Sequence, residues 1–549
     1  MRGQGGVIGL LSTSAAVWLA TAPGLHAQAL EHYLPPAPKR VITTPSVRVN
    51  PPPEPANLAI GPVLTGVTLV PLDSQASLPS ITEGWSSLLG QPLSPALIHT
   101  IESGVQQRYA ALNYAVVARW TPDAAAPSGV VRIVVAPLIV GEITVTNGRP
   151  GQAAYIQRRL GVTAGQTIDA TRFADDLASL SRYPYRETQA VFTPRAGSAV
   201  ADLDLVIKNH KPWGANFGFK YGGSKDLTYR RYFAGLSVGN LVGHDSLLAV
   251  QLTGSPDVAL HEDPHPKFKE GVVTYSLPVA RRTRFEASLD ISELNFHFAP
   301  STYRIIDTMA QAGVRLDLGS RPGGVTRDLR YGLEAKNELE LIFTNSVLGT
   351  RMAAEVFQAY AGYHRARTTD TVQDDFDIVA HVSPGGLDPG NTNRHALVYS
   401  EGRQKSQTYA YVGFAYDRTQ ILSKTLDWHS QISGQVATGP LPFSEQAGLG
   451  GLSQVRGYYF IDGSYDTAVV VRNELIVKRG PRPYVFYDCG MGRDIGLHHS
   501  DVLASVGAGA NFHVGNTATL RLEALRTLRP GQFTQKNTET LLGNLTFRF

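Results

Sequence analysis

Two periodicities divide the chain. Between residues 59 and 210, apolar residues recur at helical spacing between short strand-like runs; from Trp213 onward the helical spacing stops and alternation takes over. In "RFEASLDIS", Phe285, Ala287, Leu289 and Ile291 fall on one face, and Glu286, Ser288, Asp290 and Ser292 on the other. In "YFAGLSVGN", Tyr232, Ala234, Leu236 and Val238 oppose Phe233, Gly235, Ser237 and Gly239. In "TLRLEAL", Leu520, Leu522 and Ala524 oppose Thr519, Arg521 and Glu523; in "LGNLTFRF", Leu545, Phe547 and Phe549 oppose Asn544, Thr546 and Arg548. One apolar face at a period of two predicts strands of a sandwich or a barrel. Two features favour a membrane barrel: the polar faces mix ionised and small residues, as a water-filled lumen requires, and an amphipathic strand ends on the aromatic Phe549. Residues 211–549, shared among roughly 16 strands, give about 21 residues each; a spanning strand needs about 9–11, leaving a similar length for each connection.

The preceding region reads as two similar α+β units. In the first, Val63–Pro71 is strand-like, Ile81–Leu89 and Pro95–Leu112 are helical, and Tyr114–Thr121 and Val130–Pro137 are strands. In the second, "GEITVTNG" (141–148) is a strand, Ala153–Leu160 and Asp169–Arg182 are helical, and "TQAVFTPR" (188–195) and "ADLDLVIK" (201–208) are strands. The order β-α-α-β-β twice over is a repeat of architecture more than of letters. The expected boundaries are 59–138 and 139–210 for these units and 211–549 for the barrel.

The beginning of the chain adds a compartment. Arg2, the largely apolar Val7–Ala22, and small residues at Ala27 and Ala29 match a secretory signal peptide, 1–29. Residues 30–58 follow as a linker; eight prolines within 30–57 make it extended and semi-rigid. No later run is long enough for a spanning helix, and a single cysteine, Cys489, rules out an intramolecular disulfide. Charge is sparse, with 17% charged residues and a net +4 spread along the chain, which gives nucleic acid no obvious purchase. The 54 glycines suit closely packed strands.

Three apparent catalytic or metal patterns dissolve on inspection. "HEDPH" (261–265) satisfies H-E-x-x-H, but Pro264 and Pro266 break the helix that would bring His261 and His265 together. "GLSVG" (235–239) satisfies G-x-S-x-G, yet alternation runs straight through Ser237 where a nucleophile elbow needs a sharp turn. Asp370, Asp374, Asp375 and Asp377 fit no EF-hand spacing and read as a solvated extracellular loop. No P-loop, dinucleotide fingerprint or zinc pattern is present; no enzyme activity, metal or cofactor is expected.

The stretch "LPFSEQAGLGGLSQVRGYYFIDGSYDTAVVVRNEL" (441–475) is more specific. With Pro442, Ser444–Glu445, Gly450–Gly451, Val455-Arg456-Gly457-Tyr458 and Asn473-Glu474-Leu475, it resembles the signature of the two-partner secretion transporters (TpsB, the hemolysin secretion/activation proteins), part of the outer-membrane barrel-assembly superfamily. "FYDCG" fits the family's F-x-D-x-G through Phe486, Asp488 and Gly490, and "VSPGGLDPGNTNR" (382–394) matches a common loop. The resemblance covers residues 59 to 549. It implies two POTRA (polypeptide transport-associated) domains in the periplasm followed by a barrel of about 16 antiparallel strands in the outer membrane of a Gram-negative bacterium. Many members begin with a pore-plugging helix; the proline-rich 30–57 does not show one, and "ALEHYL" (29–34) supplies at most a turn or two.

The resemblance also implies a role for the isolated Arg456. The motif tips a long loop folded back into the lumen, and Arg456 meets Asp488. A guanidinium in a confined lumen needs a carboxylate, and a bidentate pair fixes orientation. Arg472 and Glu474 share a strand face with Lys478 and are candidates for the same network. The implied function is translocation of an unfolded exoprotein (adhesin- or hemolysin-like) to the cell surface by a monomer embedded in outer-membrane lipid; the alternative is an assembly factor that inserts other barrels.

Overall fold

The computed structural model describes residues 47–49 and 62–549, apart from 73–78, 80, 82–84, 113, 122–128, 150, 196–197, 223–227, 261–265, 299–300, 322–324, 345–346, 401 and 516. The expected signal peptide, most of the proline-rich stretch, any plug helix and the "HEDPH" motif therefore lie outside the described residues. By packing, the described chain divides into two units, one built around 39–211 and one around 212–549.

The first unit holds two small sheets. Strands β1 (Val47–Val49) and β2 (Gly66–Pro71) precede helix α1 (Pro95–Ala111), β3 (Val116–Trp120) and β4 (Val130–Pro137); β5 (Ile139–Thr146), α2 (Gln152–Arg159), α3 (Ala170–Leu180), β6 (Arg186–Pro194) and β7 (Val200–Asn209) follow. One sheet has the order β2-β4-β3, the other β1-β6-β7-β5. Helix α1 starts where Ser94 accepts the amide of Leu97 at 3.2 Å and Pro95 occupies the first turn. Its Leu97, Ile101 and Val105, spaced by four, bury against Val131, Ile133 and Val135 of β4. Asp169 caps α3 by accepting the amide of Arg172 at 3.0 Å, and Phe173, Leu177 and Leu180 pack on Phe192, Leu203 and Leu205. Within 81–89, the described residues from 86 onward form a turn where helical spacing predicted a helix. Val47–Val49, inside the proline-rich stretch, pairs in parallel with β6, Val47 opposite Ala190.

The second unit is a closed antiparallel barrel of 16 strands. Its wall runs through β8 (Trp213–Tyr221), β9 (Arg230–Gly239), β10 (Leu247–Gly254), β11 (Phe268–Ala280), β12 (Thr283–Phe298), β13 (Ser301–Arg321), β14 (Val325–Thr344), β15 (Val347–Thr368), β16 (Val372–Ser383), β17 (Tyr409–Ile421) and β18 (Leu426–Ala437). The two-residue strands β19 (Ala447–Gly448) and β20 (Ser464–Tyr465) pair within the next loop, and β21 (Thr467–Val477), β22 (Pro483–Asp494), β23 (His499–Val514), β24 (Ala518–Thr527) and β25 (Glu539–Arg548) complete the wall. Closure comes from β25 against β8, with Phe217 stacked on Phe547 and Phe549 at 4.9 and 5.7 Å, and Phe549 and Ala215 exchanging backbone hydrogen bonds.

Alternation orients the wall as its residue pattern requires. Leu236, Leu289, Leu333 and Val436 are exposed outward, while Ser237 is buried with its hydroxyl on the Gly214 carbonyl. The acidic group at 370–377 departs from expectation: it is not an extracellular loop. A three-residue connection joins β15 to β16, and Asp374, Asp375 and Asp377 lie on β16 at the rim where β8 begins. Basic partners hold them in the wall: Arg367 binds Asp374, His364 binds Asp375, and Arg330 binds Asp377. Clustered acids read as loop when their cross-strand partners are unseen.

Candidate functional site: a loop locked into the lumen

The chain between β18 and β21 (438–466) is hydrogen-bonded to walls on several sides of the barrel. Near its start, the turn Phe443–Glu445 sends Glu445 into a buried pocket. There Glu445 takes Lys336 of β14 at 2.7 Å, Gln358 of β15 at 2.8 Å and Tyr411 of β17 at 2.6 Å. Burial alone would raise this carboxyl; the Lys336 charge and the hydrogen bonds hold it well below the usual carboxylate range. At the loop's other end, Asp466 binds Arg403, from the β16–β17 connection, at 3.0 Å, and Asp494 of β22 shares that guanidinium at 3.3 Å. Asp462 accepts the amides of Phe533 and Thr534 from the β24–β25 connection at 2.6 and 2.8 Å.

The tip carries Arg456, 1% exposed among strands β21, β22 and β24. Its Nε and Nη2 donate to the two oxygens of Asp488 at 2.6 and 2.7 Å, a bidentate pair. Nη1 reaches Glu474 at 2.8 Å and Glu523 at 2.5 Å, and the guanidinium lies over the Phe486 ring at 3.6 Å. Arg521 closes the cluster, donating to Glu474 at 2.6 Å and Glu523 at 3.0 Å. Burial would lower the Arg456 pKa, but Asp488, Glu523 and Glu474 more than offset that and raise it; the group is a permanent cation. Each buried charge in the cluster faces an opposite one, the condition for holding ions out of bulk water.

Glycine and aliphatic positions complete the fit. Gly457 has φ of +91° and its missing side chain makes room for Leu525. A Cβ on Gly490 would lie 2.9 Å from Val455, so the strand glycine admits the loop's buried valine. The Tyr458 hydroxyl lies 2.8 Å from the Ala504 carbonyl oxygen and 2.7 Å from that of Arg529, so its single proton is held between the two.

The structure thus brings Val455, Arg456, Gly457 and Tyr458 against Phe486, Asp488 and Gly490, with Glu474 in the cluster. Arg472 sits at its edge: it donates to the Ser453 carbonyl at 2.9 Å, and its Nε is 3.9 Å from Asp488. Lys478 is elsewhere, 3.0 Å from Asp427. Sequence reasoning missed Glu523 and Arg521, although both stand on the polar face of "TLRLEAL"; it also missed the contacts of Glu445, Arg403 and Asp462. Among the described residues, no group of three or more His, Cys, Asp or Glu side chains is placed to hold a metal ion.

Comparisons with known proteins give a family from the sequence and the same fold from solved structures. The family model "Haemolysin secretion/activation protein ShlB/FhaC/HecB" matches residues 200–512. The heme/hemopexin transporter protein HuxB of Haemophilus influenzae (strain Rd) is 22% identical over 465 residues, covering 80% of this chain and 79% of HuxB. Among solved structures, CdiB from Escherichia coli aligns with a TM-score of 0.66 at 14% identity, covering 98% of each chain. CdiB from Acinetobacter baumannii aligns at 0.63 and 15% identity, over 90% of this chain and 91% of that one. BamA from Haemophilus ducreyi lacking POTRA domains 1–3 aligns at 0.55 and 12% identity, over 89% of this chain and all of that one.

Proposed function

The chain belongs to the haemolysin secretion/activation protein family ShlB/FhaC/HecB, outer-membrane transporters of a secreted partner protein, and from that premise we propose how it works on one exoprotein. The partner, a large adhesin- or hemolysin-like chain, reaches the periplasm unfolded and is captured by the two N-terminal domains. Capture uses strand addition, in which main-chain hydrogen bonds supply affinity and side chains matter little. In the β1-β6-β7-β5 sheet the edges are β1 and β5; in the other sheet they are β2 and β3. The partner then passes through the polar lumen in extended form, and its folding outside biases the direction of travel. One chain closes its own ring, and we take the working unit to be a monomer in outer-membrane lipid.

The observation that carries this reading is the buried Arg456–Asp488 pair at the tip of a loop that occupies the lumen. A loop held there by paired, buried ions suits a positioning device. Its role is to keep the loop in the state from which transport starts. Breaking a buried pair by removing one partner costs about 3–5 kcal/mol, enough to shift a loop without unfolding a 16-strand wall. Arg456→Ala should therefore abolish secretion of the partner while the protein still reaches the membrane as a heat-modifiable barrel. Secretion near the wild-type level would sink the proposal. The assembly-factor reading makes a different prediction: loss of the protein would deplete many barrels instead of stranding one exoprotein.

A further inference from the structure

The barrel's outer face carries a cluster of arginines that the translocation mechanism does not use. On β14 the inward residues are the even ones, as Asp328, Arg330 and Glu334 show, so Arg327 points outward with Leu329, Tyr331 and Leu333. On β15, Gln358 and His364 face the lumen, so Arg365 and Arg367 point outward. On β16 and β17 the same parity turns Asp374, Phe376, Tyr416 and Arg418 outward, because Asp377, Tyr411 and Asp417 face in. The register aligns them into two rows. Arg327 stands opposite Arg365, Arg365 opposite Phe376, and Phe376 opposite Tyr416. In the adjoining row, Arg367 stands opposite Asp374 and Asp374 opposite Arg418.

Of these four guanidinium groups, two lie within 4 Å of a carboxylate, and it is the same one. Arg367 takes Asp374 at 2.6 Å and Arg365 lies 3.7 Å from it, while Asp374 itself is almost fully buried. Among the described residues, Arg418 donates to the neutral Gln420 at 2.9 Å and Arg327 to the Leu318 carbonyl at 3.3 Å. The buried Nε atoms of Arg327 and Arg418 have no hydrogen-bond partner among the described residues. Like charges directly across a strand pair destabilise a sheet, and an arginine facing lipid is costly at the membrane centre and nearly free at its edge. These arginines sit within the first or last four residues of their strands, at the rim where β8 starts. The chain passes into β8 from the periplasmic domains, so this rim meets the inner leaflet. Tyr363, Phe376 and Tyr416 stand beside them on the outer face, the aromatic signature of the headgroup level.

We propose that Arg327, Arg365 and Arg418 form a site for the phosphate of an anionic phospholipid in the inner leaflet of the outer membrane, with Arg367 held back by Asp374. The guanidinium fork matches phosphate oxygens two at a time, which an ammonium does not. A phosphodiester there neutralises the opposed Arg327–Arg365 pair and supplies the missing acceptors. The site lies on the wall strands and is independent of the lumen lock, so its failure would leave the secretion reading untouched.

The test uses the full-length protein in bilayer discs of phosphatidylethanolamine with one-fifth phosphatidylglycerol, followed by counting retained lipids by native mass spectrometry. Wild type should keep phosphatidylglycerol over phosphatidylethanolamine, and Arg327→Gln/Arg365→Gln/Arg418→Gln should weaken that preference by at least about tenfold, given the contribution of each basic residue near an anionic surface. Asp374→Asn should strengthen it, because Arg365 and Arg367 are released. Heat-modifiability on gels checks that each variant is a folded barrel; if the triple variant does not fold, Arg418→Gln and Asp374→Asn alone must still move the preference in opposite directions. Competition by millimolar inorganic phosphate as effective as that by the lipid would mean a generic anion site and overturn the assignment, as would no preference in wild type or an unchanged preference in the variants.

Discussion

At the scale of single residues, the lumen lock depends on a small number of steric and electrostatic facts. Val455 is fully buried against a glycine, and a methyl at 490 would also approach Val470 at 3.2 Å and Leu449 at 3.3 Å. Overpacking of this kind costs about 1–3 kcal/mol. Gly490→Ala should push the loop tip off the wall and open 438–466 to protease added outside intact cells. Val455→Ala in the same chain should restore protection, because it removes the methyl groups that collide; an additive loss in the double variant would show that the two positions do not meet. Much of this was legible in the letters. Arg456 has no acid within three residues, which demands a distant partner, and the F-x-D-x-G match supplied Asp488. Glu523 and Arg521 were not legible as members, because alternation says that a charge faces the lumen and not which charge it meets across non-adjacent strands. Lys478 shows the converse: it shares a face with Glu474 by parity, yet the strand carries it several residues further along the wall, to Asp427.

Among elements, the helices with a cap at their start were legible, since caps and apolar spacing are local, whereas 81–89 had the spacing alone and its described residues from 86 onward form a turn. Ser94 with Pro95 and Asp169 with Arg172 mark starts that the chain keeps. Strand number was harder: length divided by an assumed period allows 16 without requiring it, and β13, β14 and β15, at 21, 20 and 22 residues, are about twice a spanning minimum. Val47–Val49 was hidden because proline-rich context argues against pairing, although three proline-free residues suffice for a short edge strand. Helix α1 also carries a testable strain. Glu102 is 8% exposed; burial raises its pKa, against the opposing hydrogen bond from the Trp120 amide at 2.7 Å. A carboxyl raised on folding costs stability once it must ionise, so the penalty is absent below the unfolded value and grows as pH rises through the folded one. Glu102→Gln keeps the acceptor for Trp120 and removes the charge. It should stabilise the 39–211 segment at pH 7 in urea denaturation and leave it unchanged near pH 4. A variant less stable than wild type at pH 7 would mean that the carboxylate earns its place through His99, 4.0 Å away.

For the whole molecule, the ring is closed by strands from 213 to 548 alone. Among the described residues, no strand upstream of β8 hydrogen-bonds into it. The lumen anchors follow the same rule: Lys336, Gln358, Arg403, Tyr411, Asp488, Asp494 and Glu523 all belong to the barrel unit. The ring and the side chains that hold the loop thus lie within the C-terminal unit, and the proposed capture of the partner falls to the N-terminal one. Deleting residues 59–210 should separate them. The shortened protein should still reach the outer membrane, resist unfolding in detergent until heated, and keep 438–466 protected from external protease. It should secrete no partner, and a co-expressed partner should accumulate inside the cell. Retained secretion would remove the N-terminal domains from the capture step. Loss of loop protection would mean that the lock needs them after all, in spite of a cluster whose ions come entirely from the barrel.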